Sequence, residues 1–370
     1  MKRALHISPN VYENISSAGG TSKIWAELAQ NYDEYHVLGR SKDRKFHEIR
    51  DGKIVLHTVP NVLNKFFPFF FTCFWGLRRI KKQTHFDVII CQCPILGGFA
   101  AVRKMKNTPI LIEMHGFFYF NILEGKGIKN RILGFIIRYS YNKCTAVRSL
   151  NEAMTSRLRN DGITNRISVV ENRVDTGLFS TKKENQKITG TIKLISIGNF
   201  ETVKGHKYAL SAMKILQQKY DIKLILVSGG KLKNEYEQFA KENDIHLELI
   251  DRCTQEELVN ILSEANIYIQ TSLREGMPRV ILEAMAMKIP VISSKAGFIE
   301  GTIKHRENGL LTEIGDVDGL VKAIEYLINN EAERTRIVEN AYKDVKERFE
   351  WEKCFNKYRK LLLEVENTKK

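Results

Sequence analysis

Short apolar runs alternate with stretches in which apolar side chains return every three to four residues, and this alternation continues along most of the 370-residue chain. In the first half the strand-like runs are residues 4–8, 35–38, 54–59, 88–91, 110–114 and 146–147, with helical spacing between several of them, as at 23–30. The pattern restarts at 193–197 and recurs at 223–228, 246–250, 267–270 and 291–293. Alternation of this kind predicts an α/β protein with mostly parallel sheets covered on both faces. The polar, weakly periodic segment 181–190 reads as a linker between two halves. From Glu331 onward the sequence is helical and charged, with an apolar face formed by Trp351, Phe355, Tyr358, Leu361 and Leu362.

Composition refines this picture. A chain of this length accommodates two domains of about 100–200 residues each, and a hydrophobic fraction of 43% can fill two cores. No apolar run of about 18 residues opens the chain; Met1, Lys2 and Arg3 lead directly into the run 4–7, as in the first strand of a cytosolic protein. The cysteines at 73, 91, 93, 144, 253 and 354 show no Cys-x-x-Cys spacing, which fits reduced, mostly structural thiols.

The most specific chemistry lies in Glu275, Gly276, Met277, Pro278, Arg279, Val280, Ile281, Leu282 and Glu283, followed by Ala284, Met285 and Ala286. Pro278 suits the first turn of a helix, and the apolar residues after it read as a buried helix. Glu275 then sits on the loop ahead of the helix and Glu283 on its second turn. The start of a helix offers unpaired N–H groups and partial positive charge to a phosphate or diphosphate. Carboxylates cannot grip phosphate, but they accept hydrogen bonds from hydroxyls, so the pattern suits a sugar at one end and a ribose at the other. Taken singly, either glutamate is more often an acid that stabilises a first helical turn than a ligand contact.

The whole string resembles the E-x7-E signature of the retaining nucleotide-sugar glycosyltransferases of family 4 (glycosyl transferases group 1). The resemblance implies the GT-B fold, two Rossmann-like doubly wound α/β domains facing a central cleft. It also implies that Glu275 contacts the donor sugar and Glu283 the nucleotide ribose. The expected division is an acceptor-side domain over 1–180, the linker 181–190, a nucleotide-sugar-binding domain over 191–345, and a terminal helical segment 346–370 crossing back to the first domain.

Other residues fall where such an enzyme needs them. Gly19 and Gly20 follow the first strand, where glycine permits close backbone approach to a ligand; they resemble the family's glycine-rich loop, although an ordinary turn has the same composition. His115 follows the run 110–114 and should emerge at the carboxyl end of a strand, where ligands of open α/β sheets gather. It resembles the family histidine that contacts the donor sugar. Lys204 matches the lysine that neutralises the leaving diphosphate, but Asn199 stands where relatives carry an arginine. A missing permanent cation weakens diphosphate stabilisation unless Arg173, Arg279 or another basic group replaces it. Arg173 itself stands where the common Asn-Gly-Val-Asp hinge has glycine. Asp316 and Asp318 mimic the Asp-x-Asp pair of metal-dependent transferases, but Asp318 before Gly319 reads as a helix N-cap. No divalent metal or other cofactor is therefore expected.

The formal charge of +15 admits nucleic acid, an anionic membrane or acidic substrates as partners. No DNA-binding or RNA-binding module appears, so nucleic acid is not expected. No G-x-G-x-x-G follows the first strand, which excludes a dinucleotide-dependent oxidoreductase. Residues 52–86 contain no acid and join an aromatic run at 66–75 to Arg78, Arg79, Lys81 and Lys82. A second acid-free stretch, 125–151, sets Lys126, Lys129, Arg131, Arg138, Lys143 and Arg148 around Ile132, Leu133, Phe135, Ile136 and Ile137. Both suit peripheral attachment to an anionic membrane, or else two core helices with basic outer faces. The expectation is a cytoplasmic, retaining, metal-independent hexosyltransferase, peripheral at the inner face of the plasma membrane where those stretches attach it, that moves sugar from a nucleotide-sugar to a glycan or lipid-linked acceptor in bacterial surface polysaccharide assembly. An epimerase or phosphorylase of the same fold is the alternative.

Overall fold

The computed structural model describes residues 1–18, 20–61, 67–82, 84–116, 118–180 and 188–368. The chain divides into two compact units, one of Met1–Glu171 with Asn356–Lys370 and the other of Asn172–Phe355. The boundary thus precedes the polar segment 181–190, most of which (181–187) lies outside the described residues. Local bonding explains the earlier boundary. Asn172 Nδ2 donates to the Met277 carbonyl at 2.6 Å, the Val174 N–H donates to Phe349 O at 2.9 Å, and the Arg173 guanidinium lies over the rings of Trp351 and Phe355. The strip 172–180 is therefore tied to the second unit. Residues 346–355, expected in the terminal segment, belong to that unit for the same reason.

The first unit contains strands β1 (Arg3–Val11), β2 (Glu34–Arg40), β3 (His47–Asp51), β4 (Ile54–Val59), β5 (Val88–Cys91), β6 (Ile110–Glu113), β7 (Ala146–Ser149) and β8 (Ile167–Val169). They form one sheet in the order β3-β4-β2-β1-β5-β6-β7-β8, parallel except for β3 against β4. Every residue of β4, β5, β6 and β7 is buried, as in a sheet covered on both faces, and most are apolar; Glu113 on β6 and Arg148 on β7 are buried charges. The late segment packs here as well: Phe355 aside, the buried Tyr358, Leu361, Leu362 and Val365 line one side of the helix Trp351–Glu366. Lys2 pairs with Glu366 at 2.8 Å and Arg359 with Glu27 at 3.1 Å.

The second unit contains β9 (Ile192–Ile197), β10 (Ile222–Val227), β11 (Leu247–Ile250), β12 (Ile267–Gln270), β13 (Val291–Ser294) and β14 (Leu310–Thr312). All pair in parallel, in the order β11-β10-β9-β12-β13-β14. Its core joins Leu194, Leu224, Ile269 and Ile292 of the sheet to Leu210, Met213, Leu320 and Ile324 of the helices His206–Leu216 and Val317–Asn329.

In both sheets the winding reverses beside the first strand, between β1 and β5 and between β9 and β12. Each reversal parts the loops at the carboxyl ends of its two strands and leaves room for a ligand.

Candidate active site

In the second unit, the loops after β9 and β12 meet at the reversal. Leu273 N–H donates to Val203 O at 2.8 Å, and Thr271 Oγ1 donates to Gly205 O at 2.9 Å. Gly205 has φ +63°, and a Cβ there would lie 2.1 Å from Thr271 O, so only glycine lets the loops approach this closely. The contact brings two of the residues singled out from the sequence together: Lys204 Nζ donates to Glu275 Oε1 at 2.7 Å. Ser272 Oγ donates to the same oxygen, also at 2.7 Å. A third loop supports the pair from the end of β13, where Gly297 (φ +68°) abuts the Glu275 carbonyl so tightly that a Cβ would lie 1.9 Å from it.

Directly after this pair the helix Arg279–Ala286 begins. Pro278 is its N-cap, with φ −70° and ψ 124°, one position earlier than the first turn expected, and among the described residues no side chain caps the first-turn N–H groups. Those groups remain as donors for an anion. Gly276 and Met277 are buried behind the entry loop, Arg279 is exposed and Val280 half-buried. Glu283 lies on the second turn, only 9% exposed. Burial raises its carboxyl above the usual range, against the opposing charge of Arg279. Among the described residues no hydrogen bond reaches this carboxylate. Nearby, burial pushes the Tyr268 phenol on β12 well up, and the charges of Glu275 and Glu283 add to the effect, so both carboxylates act on one buried ring.

Asn199 carries no charge, but it engages a cation: its Oδ1 accepts from Ser228 Oγ at 3.1 Å and from Arg252 Nη2 at 3.4 Å. Arg173 is committed to its aromatic stack with Trp351 and Phe355, at 4.8 and 5.0 Å. Arg252, not Arg173, is therefore the guanidinium beside Asn199. The capping assignment at the Asp-x-Asp pair also shifts. Asp316 Oδ1 accepts from Gly319 N–H at 2.8 Å and caps Val317–Asn329, while Asp318 lies inside the first turn, because the helix begins two residues earlier than Gly319 suggests.

In the first unit, Gly19 lies outside the described residues and Gly20 opens the helix Gly20–Ala29 after β1. His115 follows β6 as expected, and it is held from within. Its Nε2 is 2.9 Å from Glu113 Oε2, and Glu113 Oε1 accepts from Arg148 Nη1 at 2.9 Å. Arg148 in turn donates to the carbonyls of Val170 and Glu171 and stacks on Tyr358. Burial opposes ionisation of Glu113, but the charges and hydrogen bonds of His115 and Arg148 prevail and hold its carboxyl well below the usual range. His115 remains partly exposed, with its other ring nitrogen available to a ligand.

Sequence reading missed Glu113, Ser272, Gly297 and Arg252, and it set Arg148 among the basic residues of the stretch 125–151, whereas Arg148 is buried on β7 and paired with Glu113. Glu113 carried a signal: in extended backbone, residues two apart share a face, so an acid two before His115 is placed to orient it. The others are distant in sequence and bear no motif.

Two mostly parallel, doubly wound sheets, with Lys204 and Glu275 paired at the β9/β12 reversal, define an α/β architecture of the GT-B type. Models of two families match end to end: Glycosyltransferase Family 4 over residues 22–178 and Glycosyl transferases group 1 over residues 179–344. The chain belongs to the family 4 glycosyltransferases. Among curated relatives, it is 26% identical over 308 residues, 80% of each chain, to the GalNAc-α-(1→4)-GalNAc-α-(1→3)-diNAcBac-PP-undecaprenol α-1,4-N-acetyl-D-galactosaminyltransferase of Campylobacter jejuni. Among solved structures, it resembles sucrose-phosphate synthase from Thermosynechococcus elongatus with TM-score 0.82, 17% identity and 99% of each chain covered. It also resembles Anabaena HepE, solved with UDP and glucose, with TM-score 0.75, 16% identity, and 98% of this chain and 100% of that one covered. At these identities the two structures speak for the fold.

Proposed function

We propose that this glycosyltransferase moves a hexose-type sugar, with retention of anomeric configuration and without a metal ion, from a nucleotide-sugar to a glycan or lipid-linked acceptor. The observation that carries the reading is the Lys204–Glu275 pair at the β9/β12 reversal, set against an uncapped helix start. A lysine ammonium has three donors, so Lys204 can hold Glu275 and still reach a phosphate oxygen. The first-turn amides add donors fixed in place, and Arg252 beside Asn199 adds a second cation. Glu275 then offers an oxygen to a sugar hydroxyl. Glu283, nearly buried and without a hydrogen bond among the described residues, gains from accepting a ribose hydroxyl. His115 keeps the sugar-contacting role that the family resemblance implies.

In this reading the bond from C1 to the diphosphate breaks, the acceptor oxygen bonds C1 on the same face, and the acceptor proton passes to the departing phosphate. Neither glutamate forms a covalent intermediate. The GT-B structure of HepE with UDP supports a uridine donor as the first to try, and the lipid diphosphate in the name of the Campylobacter relative supports a lipid-linked acceptor in surface-glycan assembly. Cysteines that are mostly buried and lack paired Cys-x-x-Cys spacing support a reducing, cytoplasmic setting.

The test is a thermal-shift screen of UDP-, GDP- and ADP-hexoses in EDTA, followed by transfer assays and anomeric analysis of the product by NMR. Full turnover in EDTA with retained configuration is expected. Activity lost in EDTA and restored by magnesium or manganese, or an epimerised sugar released without transfer, would overturn the reading.

A further inference from the structure

Five of the eight large apolar side chains exposed among the described residues lie on two helices of the first unit. On Phe67–Lys81 they are Phe71 (62% exposed) and Trp75 (46%), four residues apart. On Ile128–Lys143 they are Ile128 (79%), Ile132 (56%) and Phe135 (64%), spaced to share one face. Ring contacts join the two sets across the short helix Phe99–Lys104: Phe71 meets Phe70 at 5.3 Å, Phe70 stacks on Phe99 at 5.7 Å, Phe99 meets Tyr139 at 5.6 Å, and Tyr139 meets Phe135 at 6.0 Å. The result is one aromatic and aliphatic strip, not two separate patches.

None of these three helices contains an aspartate or glutamate. Exposed Arg78, Arg79, Arg103, Lys104, Lys129 and Arg131 flank the strip. Arg79 lies over the Phe46 ring at 4.4 Å and Lys104 near the Phe74 ring at 5.9 Å, so cationic heads and aromatic faces occur side by side. Among the described residues, no helix is long and apolar enough to cross a membrane.

We propose that this strip docks the protein on the surface of an anionic lipid bilayer, with its aromatic and aliphatic side chains at headgroup level and the flanking cations on lipid phosphates. The charge pattern selects this occupant. A second copy of the chain would bring like charges face to face, which no acidic partner on these helices relieves. Nucleic acid would satisfy the cations and stack on the rings, but it offers nothing to the exposed aliphatic chains of Ile128 and Ile132. A bilayer offers both phosphate and hydrocarbon. The proposal rests on this surface alone and not on the donor chemistry.

The experiment is flotation of the full chain with phosphatidylcholine vesicles, with or without phosphatidylglycerol, at low and high salt. A single-stranded oligonucleotide serves as competitor. Wild type is expected to float with the anionic vesicles, to be released by salt, and to ignore neutral ones. Ile132→Ser with Phe135→Ser, both on exposed positions, should lower partitioning about tenfold or more. Arg78→Glu with Arg79→Glu should remove the preference for anionic lipid, with melting temperature unchanged in both variants. No vesicle binding, equal binding to neutral and anionic vesicles, equal flotation of the variants and wild type, or displacement by oligonucleotide in preference to lipid would each overturn the proposal.

Discussion

The two units place their functional side chains by different means. In the second unit, Lys204 and Glu275 arrive on separate loops, meet at the strand reversal and remain partly exposed, while Glu283 is buried without a hydrogen bond among the described residues. In the first unit, His115 is fixed by Glu113, whose carboxylate is fully buried and doubly engaged with Arg148 and the imidazole. The arrangement in the second unit leaves polar capacity on its carboxylates for a ligand; in the first unit the Glu113 carboxylate is taken up internally, and the partly exposed His115 imidazole is the group turned to a ligand. Substitutions should therefore separate function from stability in the second unit, whereas in the first they should affect both.

The largest effect is expected at the buried chain of charges. Glu113→Ala strips Arg148 of its partner inside the protein, and removing one member of a buried pair costs about 3–5 kcal/mol. Chemical denaturation should show that loss together with reduced turnover. Acid should act in the same direction: because the Glu113 pKa is depressed in the folded state, its contribution is present above the unfolded pKa and is lost as pH falls through the folded one. A Glu113→Ala protein as stable as wild type would show that the two units do not differ in this way.

Glu283 should behave oppositely. Its folded pKa is raised by burial, so the folded chain holds the proton more tightly than the unfolded chain, and stability is lost as pH rises through the folded value. Glu283→Gln stays neutral and should melt above wild type at pH 7 to 8, with the gain shrinking toward acid. A variant that melts below wild type at neutral pH would place Glu283 among the structural carboxylates instead.

Much of the second unit was legible because its chemistry is contiguous. The string from Glu275 to Glu283 carries both the loop acid and the helix acid, and the sustained apolar runs announce β9 through β13. Residues joined only by folding were not legible. Ser272 and Gly297 acquire their roles from contacts with Glu275, and Arg252 reaches Asn199 across 53 positions of sequence. The strands missing from the pattern are β3, β8 and β14, all at sheet edges. β3 reads His-Glu-Ile-Arg-Asp, charged as an edge strand exposed to water is expected to be, and β8 and β14 have three residues each, too few to show a period. The boundary at 171/172 was hidden for a similar reason: a polar stretch marks a linker by composition, but Asn172 and Val174 are claimed by partners more than 100 residues away.

The central claim is that the β9/β12 reversal divides its work, Glu283 holding the nucleotide and Glu275 acting on the sugar. Its most direct test is calorimetric titration of nucleoside diphosphate into Glu275→Ala and Glu283→Ala, beside steady-state kinetics with the intact donor. A charge-assisted hydrogen bond is worth about 1.5–3 kcal/mol, so Glu283→Ala should weaken nucleoside diphosphate binding by about tenfold or more. Glu275→Ala should bind it within about twofold of wild type while kcat falls by about tenfold or more, as expected for a contact that strengthens in the transition state. Equal losses of nucleoside diphosphate affinity in both variants, or wild-type binding and turnover in both, would contradict the account.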